Sequence, residues 1–222
     1  MDPHLLDLAR RTTGFMPDDE GLALHAAALD AARLGPIVEI GTYCGKSSIY
    51  LAAAARARRT VLFTIDHHRG SEENQPGQLY HDPTLADPLT SGLDSLPEFR
   101  RTMTRARLDD CLIAIVGRSD VIARHWHHPL GGVFIDGGHS EVAAQTDYES
   151  WSPHLAAGGL LLVHDVFPDP ADGGRPPYHV YLRALQSGAF REESGCGSLR
   201  VLRRVGREDP LAGGFVQGAE EP

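Results

Sequence analysis

The chain is short of cysteine, of long apolar runs and of basic charge, and each shortage removes a class of protein. The three cysteines, Cys44, Cys111 and Cys196, are odd in number and far apart, which fits reduced thiols in a cytosol rather than a disulfide framework. They also lack the short paired spacing of a zinc site. No stretch approaches the ~20 apolar residues of a membrane helix. The amino terminus, Met-Asp-Pro-His-Leu-Leu-Asp, has no basic segment followed by an apolar core. A soluble, unprocessed, cytoplasmic protein is expected, with no membrane partner. Basic residues number 21 against 30 acidic ones, a formal charge of −9, so a nucleic-acid groove is not expected without strong clustering. The densest basic spots, Arg56-Ala-Arg58-Arg59 and Arg100-Arg101, read as solvated helix ends.

What remains suits one domain. The 222 residues are 41% hydrophobic, enough for a buried core. Helical spacing of apolar residues over Leu5–Ala9 and Leu22–Leu34 places two helices in residues 1–35, stopped by Gly35-Pro36. Short apolar strands then alternate with helices: Ile37–Ile40, Val61–Ile65, Cys111–Val116, Gly132–Ile135 and Leu160–Val163. Such alternation implies a doubly wound α/β fold, a parallel sheet with helices on both faces. Ser198–Val205 closes a domain spanning 1–205, and residues 206–222, rich in Gly, Glu and Pro, are expected to fray. No repeats occur, and self-association into a homo-oligomer is left open.

The most informative stretch is Ile37-Val-Glu39-Ile-Gly41-Thr-Tyr43-Cys-Gly45-Lys-Ser47-Ser48. A strand ends in an acid, two glycines follow four residues apart, and a small-residue helix begins at once. Glycines there permit a tight turn and close backbone approach, and the helix start aims free N–H groups at an anion. Tyr43 fills the middle glycine of the dinucleotide fingerprint, and the P-loop spacing is absent. Dinucleotides and nucleoside triphosphates therefore fall in rank as ligands.

In doubly wound sheets, ligands sit outside the carboxyl ends of the strands. The polar residues at those ends are Glu39, Asp66, Ser119, Asp136, His139, His164 and Asp165. Asp66 lies about 20 residues beyond the glycine turn, where an acid can accept both hydroxyls of a ribose. Ser119 competes between ligand contact and helix capping. Asp136-Gly-Gly-His139 places a carboxylate and an imidazole around one cavity, and His139 is the natural base near neutral pH. Residues 67–96 form the one long irregular segment, and their position after a strand end favours a lid. His125-Trp-His127-His128, at the far end of a helix, reads as surface.

At these residues the chain resembles the class I S-adenosylmethionine-dependent methyltransferases, and within them the small-molecule O-methyltransferases of the catechol and macrocin type. Glu39-Ile-Gly41-Thr-Tyr43-Cys-Gly45-Lys-Ser47 is similar to their first motif, and the likeness continues in order over about residues 36 to 166. The resemblance implies a Rossmann-like, seven-stranded, mostly parallel sheet. It implies S-adenosylmethionine as cofactor, held by Glu39, Gly41, Tyr43, Ser47, Asp66, Ser119 and Asp136, and a small-molecule acceptor whose hydroxyl proton goes to His139. It further implies a divalent metal (Mn, Fe, Mg or Zn) on Asp136, His164 and Asp165. Where the family commonly has Asp-Asn or Glu-Asp, this chain has His164-Asp165, and an imidazole ligand favours Mn²⁺, Fe²⁺ or Zn²⁺ over Mg²⁺. A metal-free O- or N-methyltransferase and a non-catalytic adenosylmethionine-binding protein are the alternatives.

Overall fold

A computed structural model describes residues 1–78, 80–90 and 92–206. The expectation for the tail lies outside these residues, save for Gly206. Among the described residues seven α-helices and seven strands follow in order. They are α1 (Pro3–Arg11), α2 (Asp18–Ala31), β1 (Ile37–Ile40), α3 (Lys46–Arg58), β2 (Leu62–Asp66), α4 (Leu96–Ala106) and β3 (Leu112–Val116). Then come α5 (Ser119–Ala123), β4 (Leu130–Ile135), α6 (Glu141–Trp151), β5 (Leu155–Val163), α7 (Pro176–Gln186), β6 (Phe190–Cys196) and β7 (Leu199–Arg204). The strands form one sheet in the order β3-β2-β1-β4-β5-β7-β6. Only β7 runs antiparallel, against both β5 and β6, so the sheet is doubly wound and mostly parallel. Its order reverses between β1 and β4, and the ligand crevice of such a sheet opens there.

The period of two along each strand divides the core. Ile37, Phe134, Leu160 and Leu162 pack with α1–α4. Val38, Ile40, Val133, Leu161 and Val163 pack with α6 and α7. This alternation also aims the residues just past the strands. His164 continues the series of Leu160 and Leu162 and turns toward α2.

Two elements escape the apolar pattern. β6 reads Phe-Arg-Glu-Glu-Ser-Gly-Cys and is exposed along most of its length; an edge strand needs no continuous apolar run. α7 opens on Pro176-Pro177 after Gly173-Gly174, residues that read as a turn although proline suits the first helical turn. Between β2 and α4 the long segment carries two short 3₁₀ turns, Glu72–Asn74 and Pro83–Leu85, and an Ala86–Leu93 bridge. Its ends are clasped together: the Ser95 amide donates to the His68 carbonyl at 3.1 Å, and His68 Nδ1 lies 2.8 Å from Ser95 Oγ. His68 is thereby buried at the base of the segment. No described helix is long and apolar enough to cross a membrane.

Candidate active site

The glycine turn is built by contacts only glycine permits. Gly41 has φ +86° and a side chain there would overlap the Asp136 carbonyl, so β1 and β4 meet through bare backbone. Gly45, at φ +89°, would drive a Cβ to within 2.9 Å of Met103 and 3.0 Å of Phe99. It stands at the start of α3 with no side-chain cap, which leaves the first amides of that helix for a ligand. Tyr43 also takes a positive φ, 48°.

Asp66 organises this turn. Its Oδ2 accepts the amides of Thr42 and Tyr43, both at 2.9 Å, and its Oδ1 accepts the His68 amide at 2.7 Å. A carboxylate oxygen has two acceptor sites, so Oδ2 is filled and Oδ1 keeps one. That site is the one left on Asp66 for the ribose hydroxyls expected there.

Two expected cofactor contacts differ more. Glu39 is 0% exposed, and its two oxygens accept the hydroxyls of Ser47 and Ser48, each at 2.6 Å. Glu39 and Ser47 are directed at each other rather than into the crevice, because residue 39 shares the strand face of Ile37 that packs on α3. Their bonds fasten the end of β1 to the first turn of α3. Burial pushes the Glu39 carboxyl up to about 7, against the pull of the serine hydroxyls. A folded-state pKa raised from 4.5 to about 7 contributes stability that is full below 4.5 and lost as pH rises through 7. Glu39→Gln, neutral throughout, is expected to lose less stability than the parent between pH 5 and 8. Melting temperatures of both proteins at the two pH values check this, and an equal decrement in each would refute it.

Ser119 likewise gives its hydroxyl to a protein partner, the Asp147 carboxylate on α6. Asp147 is buried, its carboxyl raised to about 6 by that burial. Its Oδ2 lies where a Cβ on Gly137 would come within 2.8 Å. The pair ties the first turn of α5 to the middle of α6.

At the ends of β4 and β5 the remaining residues converge. His139 Nε2 is 3.1 Å from Asp165 Oδ2, and its Nδ1 is 3.4 Å from Glu73 Oε1 on the long segment. Asp165 holds a left-handed backbone, φ 55°, an uncommon state that clusters at functional sites. One donor atom each from Asp136, His139 and Asp165 lies within 4.8 Å of the others. Asp165 hydrogen-bonded to His139 raises that imidazole to about 9, although burial opposes the shift. Burial pushes Asp165 up, but the bonds from His139 and His164 outweigh it and hold the carboxyl well below its usual range.

His164, the other residue of the expected metal set, is bonded on both sides of its ring. It is 4% exposed, with Nδ1 3.0 Å from Asp136 Oδ1 and Nε2 2.6 Å from Glu20 Oε2. Both ring nitrogens of His164 are thus engaged by carboxyl groups from α2 and from the end of β4. Burial disfavours the cation, yet the Asp136 charge and the hydrogen bonds prevail and raise His164 to about 12. Burial pushes the Asp136 carboxyl up in turn, against the attraction of His164. Glu20, Glu73, Ser48 and Asp147 are the site residues that sequence reasoning missed. Glu20 alone left a trace, an acid on the helical stripe that also carries Leu24, Ala28 and Ala31, all buried.

Residues 38–166, more than half of the chain, match a family model described as a methyltransferase domain. Among solved structures, the chain is similar to the O-methyltransferase TomG from Streptomyces achromogenes, involved in tomaymycin synthesis and solved with S-adenosylmethionine. Identity there is 18%, with 93% of this chain and 91% of that one covered at a TM-score of 0.59. An O-methyltransferase from Bacillus cereus, solved with S-adenosylhomocysteine, gives 16%, 92%, 91% and 0.59 in the same measures. The O-methyltransferase NovP gives 17%, 85%, 80% and 0.63. These likenesses carry the fold; the family match, over the segment that holds the glycine turn, Asp66, Asp136, His139 and Asp165, carries more. The chain belongs to the methyltransferase-domain family, and with it to the class I S-adenosylmethionine-dependent methyltransferases.

Proposed function

We propose that this enzyme transfers a methyl group from S-adenosylmethionine to a hydroxyl of a small molecule, with His139 taking the hydroxyl proton. The observation that carries this reading is the 3.1 Å pairing of His139 Nε2 with Asp165 Oδ2 at the strand ends, beside a glycine turn shaped for a carboxylate-bearing ligand. S-adenosylmethionine supplies an activated methyl on a positively charged sulfur. The residues have to orient the acceptor in line with that methyl and remove one proton. Asp165 orients the imidazole and favours the imidazolium that forms. The oxygen acceptor is supported by the O-methyltransferases among the structural neighbours, and the small acceptor by the excess acidic charge. Calorimetric titration with S-adenosylhomocysteine and with NAD tests the donor. Heat with NAD alone would overturn the reading.

A second reading rests on the three convergent donor atoms. Two carboxylates and an imidazole suit Mn²⁺, Fe²⁺ or Zn²⁺, and Asp136, His139 and Asp165 would hold such a cation, which would lower the acceptor hydroxyl's pKa. His164 stands outside this set because both its nitrogens are engaged. A cation on His139 removes that imidazole as a base, so the two readings exclude each other. Chelator separates them. If His139 is the base, activity is expected to persist in chelator; if the cation is essential, activity is expected to vanish and to return better with Mn²⁺ or Fe²⁺ than with Mg²⁺.

Residues 67–96 complete the crevice. Glu73 reaches His139. The Tyr80 amide bonds the Glu73 carbonyl at 3.1 Å, and the Tyr80 ring meets Phe15 edge-on at 5.3 Å. Phe15 stacks on Tyr43 of the glycine turn at 5.8 Å. We assign this segment the role of a lid within a single domain of residues 1–205. Its amides are expected to exchange more slowly with hydrogen when S-adenosylhomocysteine is bound; equal protection in free and bound protein would remove the lid role.

A further inference from the structure

The Glu20 carboxylate comes from α2, outside the matched residues 38–166, and ends in the catalytic centre. We propose that Glu20 is a positioning residue that, through His164, fixes which oxygens Asp136 and Asp165 present to the acceptor. This rests on the reading of Asp136, His139 and Asp165 as the centre. Glu20 is 5% exposed. Its Oε2 lies 2.6 Å from His164 Nε2, its Oε1 accepts the Ser198 amide at 2.7 Å, and the Ser198 hydroxyl reaches Oε2 at 3.1 Å. The neighbouring Gly197, at φ +53°, has no room for a side chain against the Glu20 carboxylate. The turn between β6 and β7 is therefore moulded around this acid.

Beyond His164 the strut continues, with Nδ1 3.0 Å from Asp136 Oδ1 and 3.4 Å from Asp165 Oδ2. Asp136 Oδ1 thereby keeps one acceptor site and Asp136 Oδ2 both. Asp165 Oδ2 is shared with His139. With no acceptor on Nε2, the ring would be free to turn about its own bonds, and both carboxylates would lose their common donor. A misplacement of about 1 Å at a reacting centre lowers rate by about 10²-fold.

The test uses the whole chain with Glu20→Ala, Glu20→Gln and Ser198→Ala. Three quantities are read: S-adenosylhomocysteine affinity, methyl transfer to a panel of phenols and sugars, and the histidine-ring nitrogen and proton resonances. Glu20→Ala is expected to lower turnover about 10- to 100-fold, to leave S-adenosylhomocysteine affinity within about twofold, and to move the His139 ring signals. Ser198→Ala, which weakens only the tie to the β6–β7 turn, should leave those signals in place. Glu20→Gln keeps an acceptor for the Ser198 amide, and its NH2 pairs with His164 only by donating to Nε2 once that nitrogen has given up its proton, so it should restore part of the turnover, with a smaller but resolved shift at His139. Should Glu20→Ala fail to fold, Glu20→Gln carries the test through the same ring signals. Unmoved His139 signals would overturn the proposal. So would a parallel loss of turnover, cofactor affinity and melting temperature, since that marks a fold tie alone. No methyl transfer by the parent protein, with His139 still shifted in Glu20→Ala, would instead defeat the proposed reaction and leave the positioning geometry standing.

Discussion

Alanine at position 139 is expected to slow methyl transfer by about 10² to 10⁴, the usual contribution of a positioned base, while S-adenosylhomocysteine affinity stays near that of the parent. The pH profile should change with it. His139 is raised to about 9, so in the free enzyme the base carries a proton at neutral pH. The rate with subsaturating acceptor should climb as pH rises and level off near 9, because only the deprotonated ring can accept the hydroxyl proton. In His139→Ala that rise should vanish. A steady-state profile that keeps the same rise without His139 would assign the titration to another group and defeat the base role.

Loss of the Asp66 carboxylate should have the largest effect on cofactor binding. In Asp66→Ala three backbone amides, those of Thr42, Tyr43 and His68, lose their acceptor. An unsatisfied buried donor costs about 1–3 kcal/mol, and two of these amides, of Thr42 and Tyr43, lie within the glycine turn itself. We expect S-adenosylmethionine and S-adenosylhomocysteine affinity to fall about 10²-fold or more, since ~1.4 kcal/mol is a factor of ten. Asp66→Asn should fall between, because its amide accepts on one side only. Affinity within about twofold of the parent in Asp66→Ala, measured by calorimetry, would sink the idea. The two substitutions separate the halves of the reaction: position 66 acts on donor binding and position 139 on the proton.

The sequence by itself determined what is local. An apolar run ending in Glu39, glycines at 41 and 45, and a helix of small residues specify a strand, a turn and a helix within a dozen positions, because backbone sterics and strand period act between near neighbours. Alternating strands and helices then imposed the parallel sheet and brought Asp66, Asp136, His139 and Asp165 to one end of it. What the tertiary structure alone decided is which side chains meet. Glu39 and Ser47 face each other because residue 39 falls on the strand face that packs against α3. Ser119 meets Asp147, 28 residues onward, because α5 and α6 lie side by side. His164 meets Glu20, 144 residues away, because the period of two in β5 turns it toward α2. No spacing in the chain encodes such a pairing, in which carboxyl groups from two distant elements close on the two nitrogens of one buried ring.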